Sequence, residues 1–146
     1  MRISDFMTRD PACCVPEATA REAAELMRDN DCGAIPVVEN MDNRKLVGMV
    51  TDRDLAVRGL AEGKGPDATV RALMSVEPVG ADPDDEVETV RDVMIRERIR
   101  RVPVLGPDRR VVGIVAQADL AREDAAASDR EVGRIVEAIS EPEPNN

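Results

Sequence analysis

The sequence predicts an α/β (α+β) fold built from two β-α-β-β-α repeats that are related by a pseudo-twofold axis and followed by a C-terminal helix. Three observations support this prediction. The chain repeats itself, each half carries the same order of strand and helix signals, and 42% of its 146 residues are apolar, which is enough for a core.

The duplication is visible in short matching segments. The matched pairs are residues 3–7 with 70–74, 35–38 with 102–105, and 46–50 with 111–115. The two segments of the last pair are two residues closer in sequence than those of the other pairs, because the polar turn of the first half is two residues longer. Surface turns tolerate length changes of this size, so the pattern indicates a true structural repeat.

Each half begins with a helix signal. Thr19 and Glu22 have the spacing of a capping box, in which a threonine is followed three residues later by a glutamate. Apolar residues then recur at helical spacing, which indicates one buried face. They are Ala20, Ala23, Ala24 and Met27 in the first half and Val87, Val90 and Met94 in the second.

Strands and a linker complete the predicted organisation. A brief strand is expected at 12–15, a hairpin at 34–38 and 45–50, and a helix after each hairpin, at 52–58 and 117–122. We expect the first repeat at 1–60, a glycine-rich and charged linker at 61–69, the second repeat at 70–123, and an amphipathic helix with an acidic tail at 124–146.

Assembly follows from size and from the C-terminal segment. A repeat of about 60 residues buries too little surface to be stable alone, so the two halves are expected to pack through their sheets, with clefts between them. Ser128 and Glu131 predict a further capped helix, whose narrow apolar stripe has to be buried on its own module or on a second subunit. We therefore expect a homodimer. The stripe consists of Val132, Ile135, Val136 and Ile139.

Composition excludes several function classes. The chain has no His, Trp or Tyr, one Phe, and a formal net charge of −10. Missing histidine excludes Ser-His-Asp catalysis and His-ligated zinc, while few aromatic residues and the negative charge disfavour nucleic-acid binding. A nucleophile–base pair, a phosphate-binding loop and a metal-ligand cluster are also absent, so we expect a non-enzyme without a metal site. Without a signal peptide or an apolar run of roughly 18–20 residues, a cytoplasmic protein that does not enter membranes is expected.

Cys13, Cys14 and Cys32 are expected to be reduced thiols. A Cys14–Cys32 bridge and a soft-metal site are the alternatives. Three cysteines without histidine are one ligand short of a closed tetrahedral zinc site.

The junction between the first hairpin and its helix carries the residues best suited to a ligand. Gly48 permits close approach of a ligand or of another backbone. The Thr51 hydroxyl and the free N–H groups beside it would form an anion site, and Asp54 on the same face can accept hydrogen bonds from a vicinal diol. These are the requirements of a nucleotide. The same tetrapeptide is also a plain capping box that needs no ligand, and both interpretations stay open.

In order and repetition, these segments resemble a tandem pair of cystathionine-β-synthase (CBS) domains, a Bateman module, from residue 3 to about residue 123. The matching segments are 5–7, 33–37 and 48–54 in the first half and 72–74, 100–104 and 113–119 in the second. The resemblance implies a stand-alone regulatory CBS pair that commonly dimerises. It also implies adenosine ligands (AMP, ADP, ATP, NAD or S-adenosylmethionine) in the clefts between repeats, with no required cofactor.

The resemblance assigns roles by position. In the first site Asp54 would hold the ribose hydroxyls and Thr51 the phosphate, with Arg53 beside them. The adenine would be enclosed by Cys14, Val15, Ala34, Ile35 and Pro36. The second site would use Asp119, Arg101, Val102 and Pro103. There Ala116 replaces the hydroxyl residue and cannot contact a phosphate, so we expect a weakened second site.

We therefore expect a non-catalytic module that binds an adenine nucleotide and signals by conformational change to an unidentified protein partner or across a homodimer. Two alternatives remain open. In one, the chain is a ligand-free structural or interaction dimer in which Thr51 and Asp54 only cap a helix. In the other, Cys13, Cys14 and Cys32 make it a thiol-based redox or metal-responsive protein.

Overall fold

The computed structural model describes residues 1–124, which belong to two compact units. Unit 1 contains residues 1–10, 79–106 and the described residues from 112 onward, and unit 2 contains residues 11–78 and 107–111. The expected C-terminal helix and acidic tail lie outside the described residues, apart from residue 124. Mixed helices and strands in each unit confirm the predicted α+β class.

Unit 2 is built on a three-stranded antiparallel sheet in the order β2-β3-β4. Its strands are β2 (Ala34–Val38), β3 (Leu46–Thr51) and β4 (Ser75–Val76), and its helices are α1 (Ala20–Asp29), α2 (Asp52–Asp54) and α3 (Val70–Leu73). A π-helical turn at Leu55–Gly59 and a 3-10 turn at Leu60–Glu62 follow α2 directly. The core consists of Cys14, Ala23, Met27, Ile35, Val37, Val50, Val70 and Leu73.

Unit 1 repeats this plan with a three-stranded sheet in the order β1-β6-β5. Its strands are β1 (Thr8–Arg9), β5 (Arg101–Leu105) and β6 (Val111–Ala116), and its helices are α4 (Val87–Glu97) and α5 (Gln117–Asp124). A 3-10 turn at Ile3–Asp5 precedes β1. The core consists of Ile3, Ala81, Val87, Val90, Met94, Val102, Val104, Val115 and Leu120.

Each unit is completed by a short segment from the other half of the duplication. Residues 1–10, which begin the first repeat, belong to unit 1, where β1 pairs with β6 so that Arg9 lies opposite Gly113. Residues 70–76, which begin the second repeat, belong to unit 2, where Val76 lies opposite Gly48. The compact units therefore differ from the contiguous repeats expected along the sequence.

The two strand glycines make room for these exchanged segments. A Cβ atom on Gly48 would lie 2.7 Å from Met74 Sδ and 2.7 Å from the Ser75 carbonyl oxygen. A Cβ atom on Gly113 would lie 2.5 Å from Met7 Sδ. The close approach that Gly48 permits is thus made by another part of the chain, because Met74 and the Ser75 backbone occupy the space beside it.

Backbone conformation repeats along with the elements. Positive φ angles recur at matched positions, at 50° for Asp31 and 53° for Arg98, and at 53° for Arg44 and 61° for Arg109. The first pair follows the long helices and the second lies in the hairpin turns. The duplication therefore extends to left-handed positions that non-glycine residues seldom adopt.

Two predicted elements differ in detail. The capping box of α1 is confirmed, but Ala24 is exposed, while Ala23 and Met27 carry the buried face. The predicted strand at 12–15 is a single parallel bridge between Cys14 and Val37. This pairing cannot extend into a longer strand, because Pro16 and Pro36 have no N–H group to donate to the neighbouring segment.

Candidate functional site

The junction between β3 and α2 forms a complete capping box. Thr51 N donates to Asp54 Oδ2 at 2.9 Å, and Asp54 N donates to Thr51 Oγ1 at 3.1 Å. Asp54 is buried, with 8% of its surface exposed. These bonds satisfy two backbone N–H groups at the start of the helix, so the capping interpretation of the motif is realised in the structure.

Thr51 and Asp54 each have one hydrogen-bonding group that the capping box does not use. Among the described residues, Asp54 Oδ1 accepts no hydrogen bond, and Arg58 Nε lies 3.9 Å from it, beyond hydrogen-bond distance. Thr51 Oγ1 accepts the Asp54 amide, which leaves the hydroxyl proton able to donate. The site therefore retains a charged acceptor and a neutral donor.

The expected anion site of free amide groups is not formed. Asp52 N donates to the Gly33 carbonyl at 2.9 Å, and Arg53 N donates to Asp52 Oδ1 at 2.8 Å. Since the Asp54 amide is bound to Thr51, the first three N–H groups of the helix all have partners. An anionic ligand would need the Thr51 hydroxyl and arginine side chains.

The residues expected around an adenine lie on neighbouring strands. Ala34 is the register partner of Thr51, and Cys14 N donates to the Pro36 carbonyl at 3.1 Å. Ile35 is fully buried in the core of unit 2, so its side chain offers no contact surface. Cys14 and Thr51 thus lie on opposite sides of β2, but their partners on that strand, Val37 and Ala34, are three positions apart.

Cys14 and Val15 line a cavity of about 430 Å³ that contains none of the other expected site residues. Its wall includes the acidic side of α1, with Glu22, Glu25 and Asp29. An anionic ligand is disfavoured there by charge. The structure therefore does not gather the expected adenine contacts and the Thr51–Asp54 pair into this cavity.

The cysteines are free thiols, and two of them are buried. Burial, followed by the nearby Cys13 and Glu22, raises the pKa of Cys14 to about 12. Burial also raises the pKa of Cys13, although Arg44 Nη2 lies 3.1 Å from its sulfur and acts in the opposite direction. Because the thiolate is the reactive form, these two residues are poorly suited to redox sensing at neutral pH. Among the side chains that the structure describes, no group of three or more Cys, Asp or Glu is arranged to hold a metal ion.

The matching junction in unit 1 keeps half of the box. Ala116 N donates to Asp119 Oδ2 at 2.9 Å, as Thr51 N does to Asp54. Ala116 has no hydroxyl with which to return the bond or contact a ligand. Arg101 is half-buried at the start of β5, and the next two residues, Val102 and Pro103, are buried.

Sequence reasoning missed Arg58. This residue lies four positions after Asp54, and its Nη1 donates to the carbonyls of Leu73 at 3.2 Å and Met74 at 3.3 Å. The i, i+4 spacing from a carboxylate was the available signal. The matching position in the second repeat, counted at the same offset as Asp54 and Asp119, is Glu123.

Comparison with known proteins identifies the architecture. The CBS domain model matches residues 3–59 and 70–126. The CBS domain-containing protein YhcV of Bacillus subtilis is 41% identical over 119 residues, which cover 82% of each chain. Across the helices of the described residues, none is long and apolar enough to cross a membrane.

Solved structures with this fold hold different ligands. Hypoxic Response Protein I, with two coordinated zinc ions, is 37% identical with a TM-score of 0.75, and the match covers 84% of this chain and 98% of that one. The CBS domain pair of MJ0100, in complex with 5′-methylthioadenosine and S-adenosyl-L-methionine, is 28% identical with a TM-score of 0.78, covering 88% and 98%. CBSX2 in complex with AMP is 26% identical with a TM-score of 0.75, covering 86% and 96%.

Proposed function

The chain belongs to the CBS-domain family, and on this basis we propose that it is a non-catalytic regulatory module that binds an adenine nucleotide at Thr51 and Asp54 of unit 2. Nucleotide binding changes the conformation of the module, and this change is passed to a protein partner or across a homodimer. The module acts in the cytoplasm and requires no cofactor. The adenosyl ligands of MJ0100 and CBSX2 support the ligand class.

The observation that carries the proposal is the state of the Asp54 carboxylate. Oδ2 is fixed by the Thr51 amide at 2.9 Å, which orients the group, whereas Oδ1 accepts no hydrogen bond from the described residues. A preoriented carboxylate oxygen is the acceptor that a ribose diol requires. The Thr51 hydroxyl proton is available to a phosphate oxygen beside it.

The remaining assignments are carried over by position from the CBS-domain family. Cys14, Val15, Ala34 and Pro36 are proposed to border the adenine, with Ile35 contributing its backbone alone. Arg53, an exposed residue next to Asp54, is proposed to meet the phosphate. A second, weaker site is proposed at Asp119 with Arg101, Val102 and Pro103, because Ala116 supplies no hydroxyl.

The complete capping box favours a second candidate, a ligand-free interaction dimer. In that case the bonds between Thr51 and Asp54 only stabilise the helix start. The two candidates differ in whether any nucleotide binds, not in the fold.

Isothermal titration calorimetry with AMP, ATP, NAD and S-adenosylmethionine separates them. We expect the wild type to bind one of these compounds, and Asp54→Asn to weaken that binding about ten- to hundredfold, because a charged hydrogen-bond acceptor is lost. Asp119→Asn is the matched control in the second repeat and should leave the tighter site unchanged. A wild type that binds none of the four, or an Asp54→Asn variant that binds as tightly as the wild type, contradicts the proposal.

A further inference from the structure

Arg58 contacts two parts of unit 2 that are far apart in sequence. Its Nε lies 3.9 Å from Asp54 Oδ1, and its Nη1 donates to the carbonyl oxygens of Leu73 and Met74. These carbonyls end α3, in the segment that begins the second repeat. One planar guanidinium therefore joins the candidate ribose carboxylate to the exchanged segment.

The geometry favours an electrostatic role for Arg58 at Asp54. A distance of 3.9 Å is too long for a hydrogen bond, so the guanidinium attracts the carboxylate by its charge without occupying Oδ1. Oδ1 therefore keeps its capacity to accept a hydrogen bond while its position is restrained. The Asp54 side chain is 11% exposed and the Arg58 side chain 41%, so water screens this pair less than a pair in which both groups lie at the surface.

Arg58 also donates hydrogen bonds to carbonyls at the end of a very short helix. Helix α3 spans only Val70–Leu73, and Arg58 satisfies carbonyls at its C-terminal end. Met74, the next residue, fills the space beside Gly48. Because the guanidinium is rigid and planar, a change in its position at Asp54 also changes its position at these carbonyls.

The second repeat has a different residue at the position of Arg58. Its matching carboxylate is Asp119, and Glu123 stands where the first repeat has Arg58. A negative residue cannot donate to carbonyls or balance a carboxylate. The sequence therefore places an arginine four residues after the candidate carboxylate only in the first repeat.

We infer that Arg58 is a positioning residue for the first site: it holds Asp54 ready for a ligand hydroxyl and transmits occupancy of Asp54 to residues 70–76. The inference rests on the proposed nucleotide binding. A hydroxyl that donates to Asp54 Oδ1 fixes the carboxylate, and with it the guanidinium and the carbonyls of Leu73 and Met74.

The first test compares affinity for AMP, measured by calorimetry, among Arg58→Ala, Arg58→Lys and Arg71→Ala. Arg58→Ala should weaken binding about three- to tenfold, as expected for the loss of one coupled charge. Arg58→Lys should recover most of this loss because it restores the charge. Arg71→Ala is the matched control: it removes an arginine of the same segment whose partner is the exposed Glu17, and it should leave affinity unchanged.

The second test measures hydrogen exchange of the amides in residues 70–76 with and without saturating AMP. In the wild type, AMP should slow exchange at Met74, whose amide donates to the Val70 carbonyl, and at β4. In Arg58→Ala, these amides should exchange faster without ligand and show no change when AMP is added. Arg71→Ala should keep the response of the wild type.

The outcomes separate this inference from the proposed function. If the wild type binds no nucleotide, the proposed function and the inference about Arg58 are both overturned. If the wild type binds AMP and Asp54→Asn weakens it, but Arg58→Ala keeps the wild-type affinity and the slowing of exchange at 70–76, only the inference is overturned. Failure of Arg58→Lys to recover affinity also overturns it, because the positive charge would then not be what holds Asp54 in position.

Discussion

The two repeats have the same backbone plan but different polar groups at the junction between hairpin and helix. Both keep the strand glycine that accepts a methionine from the exchanged segment, Gly48 with Met74 and Gly113 with Met7. At the junction, the first repeat has Thr51, Asp54 and Arg58, whereas the second has Ala116, Asp119 and Glu123. The contacts on which packing depends are thus duplicated, and the groups that suit a ligand are concentrated in one copy.

The largest expected effect concerns packing at the two strand glycines, Gly48 and Gly113. Gly48→Ala should lower the free energy of unfolding by about 2 kcal/mol, and Gly113→Ala by about 1 kcal/mol, as measured by urea denaturation. A Cβ on Gly48 would meet a backbone carbonyl at 2.7 Å, compared with 3.0 Å for Gly113, and both would meet a flexible methionine. Equal losses, or a greater loss at Gly113, would show that the two exchanged segments are not held as the structure describes.

An alkaline effect is expected from unit 2, which contains all three cysteines. The pKa of Cys14 is raised to about 12 in the folded protein, so above about pH 9 the unfolded chain releases a proton that the folded chain retains. The free energy of unfolding should therefore fall as pH rises above about 9, by about 1 kcal/mol per pH unit.

Cys14→Ala should reduce the fall of the free energy of unfolding with rising pH. Alanine suits this position in the second repeat, where the matching residue is the buried Ala81. The measurement is urea denaturation at pH 7, 9 and 10. Since the variant also changes packing, the slope with pH is the informative quantity, not the value at one pH. A variant with the slope of the wild type would show that Cys14 is not the group responsible.

The smallest expected effect concerns the caps. Thr51→Ala should cost about 1 kcal/mol of stability, because the Asp54 amide loses its acceptor. Ala116→Thr should add a fraction of that amount by completing the box that Asp119 already half forms. Thermal unfolding of both variants checks the pair, and a stabilised Thr51→Ala variant would contradict the observed capping geometry.

Much of the fold was predictable because it depends on local periodicity. The capping box of Thr19 and Glu22, the apolar stripe of α4 and the hairpins are confirmed. Each involves residues within a few positions of one another, so the signal lies in the sequence itself. The duplication provided a second copy of the apolar stripe and of the hairpin.

The exchange of segments was not predictable, because it depends on strands of two residues. Thr8–Arg9 and Ser75–Val76 are too short to show alternation, and their partners lie far along the chain. The exposure of Ala24 was not predictable either, because an apolar residue at helical spacing cannot be distinguished by sequence from its buried neighbours.

The site was predictable only in part, for similar reasons. Thr51 and Asp54 carry a motif of four residues that fits both a cap and a ligand site. Arg58 becomes informative only when the carbonyls of Leu73 and Met74, fifteen and sixteen positions away, are seen to meet its side chain. Before that, a lone arginine resembles any solvated residue on a helix.

The most direct test of nucleotide binding at Thr51 and Asp54 is a crystal structure of the full chain grown with AMP. We expect a ribose hydroxyl within about 2.6–3.2 Å of Asp54 Oδ1, with the Thr51 hydroxyl donating to the phosphate. Crystals in which these side chains bond only to their own backbone while AMP is absent or bound elsewhere would contradict the proposed function.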